Sequence, residues 1–136
     1  MNHEAIVTTI QSHYPDVQAI YLFGSYGTEY ERTDSDVDLA LLLPIETAKM
    51  AGALMFKDCW TTLGKLLHRT IDLVNLRLVN TVFQNEIINT GRLVSATDQT
   101  AVDEFEMVTW SLYQKLNEER AEILGQIIKT KRIYNL

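Results

Sequence analysis

Ile20-Tyr21-Leu22-Phe23-Gly24-Ser25 opens a segment that continues through Tyr26-Gly27-Thr28-Glu29-Tyr30-Glu31-Arg32-Thr33-Asp34-Ser35 and closes on Asp36-Val37-Asp38-Leu39-Ala40-Leu41-Leu42-Leu43. Ile20 to Phe23 is a short apolar run that stops abruptly at Gly24, as a buried strand does on reaching the edge of a sheet. Without a Cβ, Gly24 allows unusual backbone angles and lets an anion approach the main chain. Ser25 is placed to cap a following helix, whose free N–H groups would then face that anion. Asp36 and Asp38 stand at i and i+2 ahead of the apolar run Leu39 to Leu43, which predicts a strand carrying both carboxylates on one face.

Two unit charges roughly 4 Å apart repel by several kcal/mol at an effective dielectric near 20, so an acidic pair flanked by apolar residues calls for a cation between them. Hard oxygen ligands, few in number, fit Mg²⁺ shared between protein and nucleotide phosphates. Gly-Ser and Asp-X-Asp at a fixed spacing arise by chance in roughly one chain in a thousand of this length, which justifies reading them together. Asp72, within Ile71-Asp72-Leu73-Val74, is a single acid in a second β-rich run, and a neighbouring strand would bring it to the pair. There it is a candidate second-ion ligand or general base toward an attacking hydroxyl. The pattern points to nucleotidyl transfer by an acidic triad of Asp36, Asp38 and Asp72, with triphosphate oxygens at Gly24 and Ser25.

Around this segment the remaining elements fall into alternation. Ile6, Val7 and Ile10 give His3 to His13 helical spacing, broken at Tyr14-Pro15. Ala48 to His68 reads as one helix, with Met50, Leu54, Met55, Trp60, Leu63 and Leu67 available for its apolar face and Gly52 and Gly64 weakening its continuity. Asn80 caps a helix through Asn89, Gly91 ends it, and Arg92 to Ser95 forms a short strand. From Asp98 a final helix runs to about Arg132. Its apolar positions recur at helical spacing, interrupted by Asn117-Glu118-Glu119-Arg120, so its second half either meets a partner or bends back. The order is α-β-α-β-α-β-α-β-α, an α/β (α+β) arrangement of a small sheet flanked by helices.

The chain has 136 residues, 46% of them hydrophobic, and a domain of this size buries roughly two-thirds of its unfolded surface around one core. No room remains for a separate acceptor-recognition domain, which favours a macromolecular acceptor. A formal net charge of −6 excludes a broad phosphate-neutralising surface, so direct nucleic-acid binding is not expected. Lys129, Lys131 and Arg132 are read as cations at a helix C-terminus. Cys59, the single cysteine, permits no internal disulfide and is read as a core residue. His3, His13 and His68 lack metal-ligand spacing, and Trp60, Trp110, Tyr113 and Tyr134 are read as core or interface residues. With neither a signal-peptide pattern nor a membrane span, a cytoplasmic location is expected.

The Gly24-Ser25 pair, its spacer and Asp36-Val37-Asp38 resemble the signature of polymerase-β-type nucleotidyltransferases, with the spacing of their smallest branch, the minimal nucleotidyltransferase (MNT) family. The resemblance covers about the first 95 residues. A softer likeness links Met107 to Leu124 with the tail helix of the branch's antitoxins. It implies a small mixed β-sheet flanked by helices, a catalytic core of residues 1–97, and a long C-terminal helix over 98–136 available as a partner interface. It further implies an antitoxin that transfers AMP from ATP, with Mg²⁺, to a tyrosine of a HEPN-domain ribonuclease toxin in a hetero-oligomer. Gly24 and Ser25 would hold phosphates; Asp36, Asp38 and Asp72 would hold Mg²⁺ and perform catalysis. Many relatives carry an arginine directly after Gly-Ser, whereas this chain has Tyr26, with Arg32 the nearest arginine. Two other readings fit the same residues: an antitoxin acting by steric blockade, and a nucleotidyltransferase acting on a small molecule such as an antibiotic.

Overall fold

The computed structural model describes residues 3–134; the side chains of Arg132, Ile133 and Tyr134 lie outside the described set, and with them the readings of Arg132 and Tyr134. Four strands form one mixed sheet: β1 (Ala19–Phe23), β2 (Val37–Leu42), β3 (Ile71–Asn75) and β4 (Arg92–Ala96). The spatial order is β3-β2-β1-β4. β1 runs antiparallel to β2 and β4, while β2 and β3 are parallel.

Side-chain alternation assigns each strand to two cores. Ile20, Leu22, Val37, Leu39, Leu41, Ile71 and Leu73 turn to one face and bury with Ile6 and Ile10 of α1 (His3–His13) and with Cys59 and Leu63 of α3 (Asp58–Leu67). Ala19, Tyr21, Ala40, Leu42 and Val74 turn to the other, against Ile87 of α4 (Thr81–Thr90) and Val102 and Phe105 of α5 (Gln99–Tyr134). Burial of a Leu or Ile side chain stabilises by about 1.5–3 kcal/mol, and eleven of the twelve largest fully buried side chains are Leu or Ile.

The expected helix from Ala48 to His68 is two helices. α2 (Ile45–Ala51) stops at Gly52, whose φ of +60° takes the chain out of helical geometry. Asn75 fixes this break, its Nδ2 donating to the carbonyls of Ala48 at 3.0 Å and Gly52 at 2.9 Å. Met50 consequently points to solvent instead of joining the apolar face, whereas Leu54 is buried from the connecting loop. His68 closes α3 in a left-handed conformation, its N–H donating to the Gly64 carbonyl, and Gly64 lies within the helix. Asn80 caps α4 through its side chain, which accepts from the Phe83 N–H at 2.9 Å, and Asp98 accepts from the Ala101 N–H at the start of α5.

α5 is one helix of 36 residues, about 54 Å long, and does not bend back. Val102, Phe105 and Thr109 anchor its first turns, and the Tyr21 hydroxyl donates to Glu106 at 2.8 Å. Ile123, Leu124, Ile127 and Ile128 remain exposed on its distal half, as does Trp110 nearer the core.

Candidate active site

Asp38 lies within β2 and faces the α4/α5 side together with Ala40 and Leu42. Its register partners are Phe23 on β1 and Asp72 on β3. Neighbouring strands are about 4.8 Å apart, so two carboxylates from positions far apart in sequence are side by side on one face. The expectation that Asp72 sits beside the Asp-X-Asp pair is met by this parallel register. Asp36 lies one residue ahead of the strand and is exposed, so the ladder positions Asp38 and Asp72 but leaves Asp36 to the preceding loop.

Gly24 follows Phe23 directly and has φ of +73°, in the left-handed region that favours glycine. A Cβ there would collide with Asp38 Oδ2 and lie 3.1 Å from its Cγ. The missing side chain thus opens space first for the Asp38 carboxylate, and only then for an anion. Sequence suggested the anion alone.

Residues 24–36 contain no helix, contrary to the expectation that Ser25 caps one. The segment is a string of turns: the Ser25 carbonyl accepts from the Thr28 N–H at 3.0 Å and hydroxyl at 2.6 Å, the Thr28 carbonyl from the Glu31 N–H, and the Arg32 carbonyl from the Ser35 N–H. Thirteen residues with two glycines and several β-turn formers satisfy part of their main chain locally. The Ser25 hydroxyl donates to the Ser35 hydroxyl at 3.2 Å, which ties the Gly24-Ser25 end of the loop to the residue preceding Asp36.

Burial, then the negative charges of Asp72 and Asp36, push the Asp38 carboxyl above the usual carboxylate range. A bound cation would reverse that cost. Among the described residues, no three acidic, histidine or cysteine side chains are gathered tightly enough to cage an ion by themselves. The donor set fits Mg²⁺ held by one or two carboxylates and completed by phosphate oxygens.

Two arginines that sequence reading passed over secure the loop. Arg69 Nη1 donates to the carbonyls of Ser35 at 3.0 Å and Arg32 at 3.3 Å, and its guanidinium lies 5.3 Å from the ring centre of the buried Tyr26. Arg92, paired with Leu22 across β1 and β4, donates through Nη2 to the Tyr26 carbonyl at 2.7 Å. No local pattern marks either residue, because each reaches the loop from a distant element.

A hollow of about 720 Å³, lined by Gln18, Arg77, Asp98, Glu104 and Phe105 among others, lies at the opposite end of β2, near Pro44. Asp36, Asp38 and Asp72 do not line it: Asp36 is exposed and Asp38 and Asp72 are half-buried. Cys59 is buried, and desolvation pushes its thiol up to about 11, which suits a core residue and not a nucleophile.

Residues 4–100 match the family model described as Polymerase beta, Nucleotidyltransferase. The Protein adenylyltransferase MntA of Shewanella oneidensis is 32% identical over 132 residues, spanning 94% of this chain and 88% of that protein. A chain of a toxin-antitoxin crystal structure with AMP-PNP is similar at a TM-score of 0.74 and 30% identity, over 94% of this chain and 99% of that one. A chain of the complex between tri-AMPylated Shewanella oneidensis HEPN toxin and MNT antitoxin is similar at 0.69 and 30% identity, over 93% and 96%.

Proposed function

The chain belongs to the polymerase beta nucleotidyltransferase family, and on that footing we propose that it is an antitoxin that transfers AMP from ATP to a hydroxyl, a tyrosine's, on a HEPN-domain ribonuclease toxin. The observation that carries the chemistry is the Asp38–Asp72 pair in register across β2 and β3, with the Gly24 backbone against Asp38. The relatives named protein adenylyltransferase and seen with AMP-PNP and with AMPylated toxin support the donor and the acceptor.

In this reading Gly24 and Ser25 receive the triphosphate, and Asp36, Asp38 and Asp72 would hold Mg²⁺. A bound divalent ion supplies charge neutralisation at the phosphate oxygens. Asp72 accepts the proton of the acceptor hydroxyl as its oxygen attacks the α-phosphorus; the α–β bridging bond breaks, and pyrophosphate leaves with the electron pair. The products are an AMP ester, pyrophosphate and one proton. A bulky anionic nucleotide near the toxin's ribonuclease centre would exclude RNA by size and charge.

The division into a core of residues 1–97 and a helix of residues 98–136 that offers partner surface belongs to the same proposal. So does a cytoplasmic location, where ATP and Mg²⁺ are available. No described helix is long and apolar enough to cross a membrane.

The exposed apolar residues of α5 favour a second reading, in which the chain neutralises its partner by covering it. Intact-mass measurement of the toxin after incubation with this protein, ATP and Mg²⁺, beside an EDTA control, separates the two. One or more metal-dependent AMP increments on the toxin are expected. An unchanged mass in a stable complex would replace transfer by blockade.

A further inference from the structure

Residues 24–36 carry Glu29, Glu31, Asp34 and Asp36 against a single arginine, Arg32, and adjoin Asp38 and Asp72. An acidic loop beside two more carboxylates repels itself unless a fixed cation intervenes. Arg69 brings a cation to the side of the loop away from Asp38 and Asp72, with Glu31 as its ion-pair partner. It follows His68, the left-handed cap of α3, and precedes Thr70, whose carbonyl accepts from the Val37 N–H at 2.9 Å, so its backbone is anchored where β2 begins. Its side chain, 20% exposed, spans the loop's underside. Nη1 holds the Ser35 and Arg32 carbonyls, Nη2 lies 4.0 Å from Glu31 Oε2, and the guanidinium covers Tyr26. Glu31 Oε1 in turn accepts from the Gly27 N–H at 2.8 Å, which carries the restraint back toward Ser25.

Each of these contacts bears on a residue beside the reacting groups. Ser35 is joined to Asp36, and Gly27 and Tyr26 follow Ser25. Tyr26 belongs to the α1/α3 core, whereas Asp38 faces the α4/α5 side, so Arg69 supports the loop from behind. One planar guanidinium here serves two carbonyls through Nη1, faces Glu31 through Nη2 and lies against the Tyr26 ring, positions that a single ammonium nitrogen cannot all occupy.

We infer that Arg69 is the positioning residue of the active-site loop, holding Ser25 and Asp36 in register with Asp38 and Asp72 before metal and nucleotide arrive. This role deepens the nucleotidyl-transfer reading and rests on it for its consequence, while the loop restraint itself is measurable without turnover.

Hydrogen exchange read by mass spectrometry on the full chain, free of metal and nucleotide, is the first arm. In Arg69→Ala, amides of residues 26–36 are expected to exchange about tenfold faster, with β1, β2 and α5 unchanged. Arg69→Lys, which keeps the charge and loses the fork, is expected to be loosened as well. The second arm is AMP transfer to the toxin at increasing Mg²⁺: loss of a group that orients a metal ligand costs about tenfold or more in metal affinity, so half-saturation should shift upward by that factor in Arg69→Ala. Unchanged loop exchange, faster exchange throughout the chain, or wild-type behaviour of Arg69→Lys in both arms would each overturn the assignment. If the unsubstituted protein transfers no AMP, the nucleotidyl-transfer reading fails separately, and the exchange arm still reports whether Arg69 restrains the loop.

Discussion

The two faces of the sheet are built from alternate residues of the same strands, yet they do different work. Toward α1 and α3, Ile20, Leu22, Leu39, Leu41 and Leu73 form a continuous dry layer. Toward α4 and α5, the strands instead present Asp38 and Asp72, and the Tyr21 hydroxyl bonded to Glu106. One face supplies cohesion; the other gives up burial at one end to expose carboxylates held by a rigid ladder. A site on strands whose reverse side is fully packed gains positional precision from the packing behind it.

The sharpest way to break this contrast is Asp38→Asn, which should lower AMP transfer by at least about a thousandfold, since several kcal/mol of charge stabilisation depend on the carboxylate. The fold should survive or gain slightly, by about 1–3 °C in Tm, because burial and two like charges already disfavour the ionised form. Calorimetry beside the transfer assay checks both halves, and unfolding of this variant would show that the acid is structural.

Leu41→Ala tests the closed face: removing a fully buried leucine should cost about 2–5 kcal/mol in denaturant unfolding, with transfer per folded molecule retained. A selective loss of transfer at full stability would mean the faces are not separable.

Gly24→Ala sits at their junction. Left-handed strain and the collision with Asp38 together should cost about 1–3 kcal/mol and displace the carboxylate, lowering transfer about a hundredfold. Unfolding and steady-state rates of the one variant measure both.

The smallest effect is with pH. Because the folded-state pKa of Asp38 is raised, its protonated form is favoured by folding, so this group adds stability below its unfolded pKa, and the gain is lost as pH rises through the folded value. Protons also compete with the cation, so the Mg²⁺ needed for half-maximal transfer should climb as pH falls, beginning above the ordinary carboxylate range near about 4. A flat Mg²⁺ requirement as pH falls from neutral into the carboxylate range would remove Asp38 from the metal set.

Sequence alone determined the ingredients whose signals are local. The i, i+2 spacing of Asp36 and Asp38, the break at Gly24, the caps at Asn80 and Asp98, and the lone acid in Ile71-Asp72-Leu73 are each readable within a few residues, because strand alternation and helix capping are short-range rules. Tertiary structure decided what depends on register and on distant partners. It set Asp72 opposite Asp38, filled the space over Gly24 with a carboxylate, broke the 48–68 segment at the glycine that Asn75 holds, and kept residues 24–36 as turns in place of a capped helix. Arg69 meets Ser35 across 34 positions and Arg92 meets Tyr26 across 66. Nothing in the immediate neighbourhood of either arginine encodes that meeting; it exists only once the two cores have fixed the strands and the turn between α3 and β3 in place.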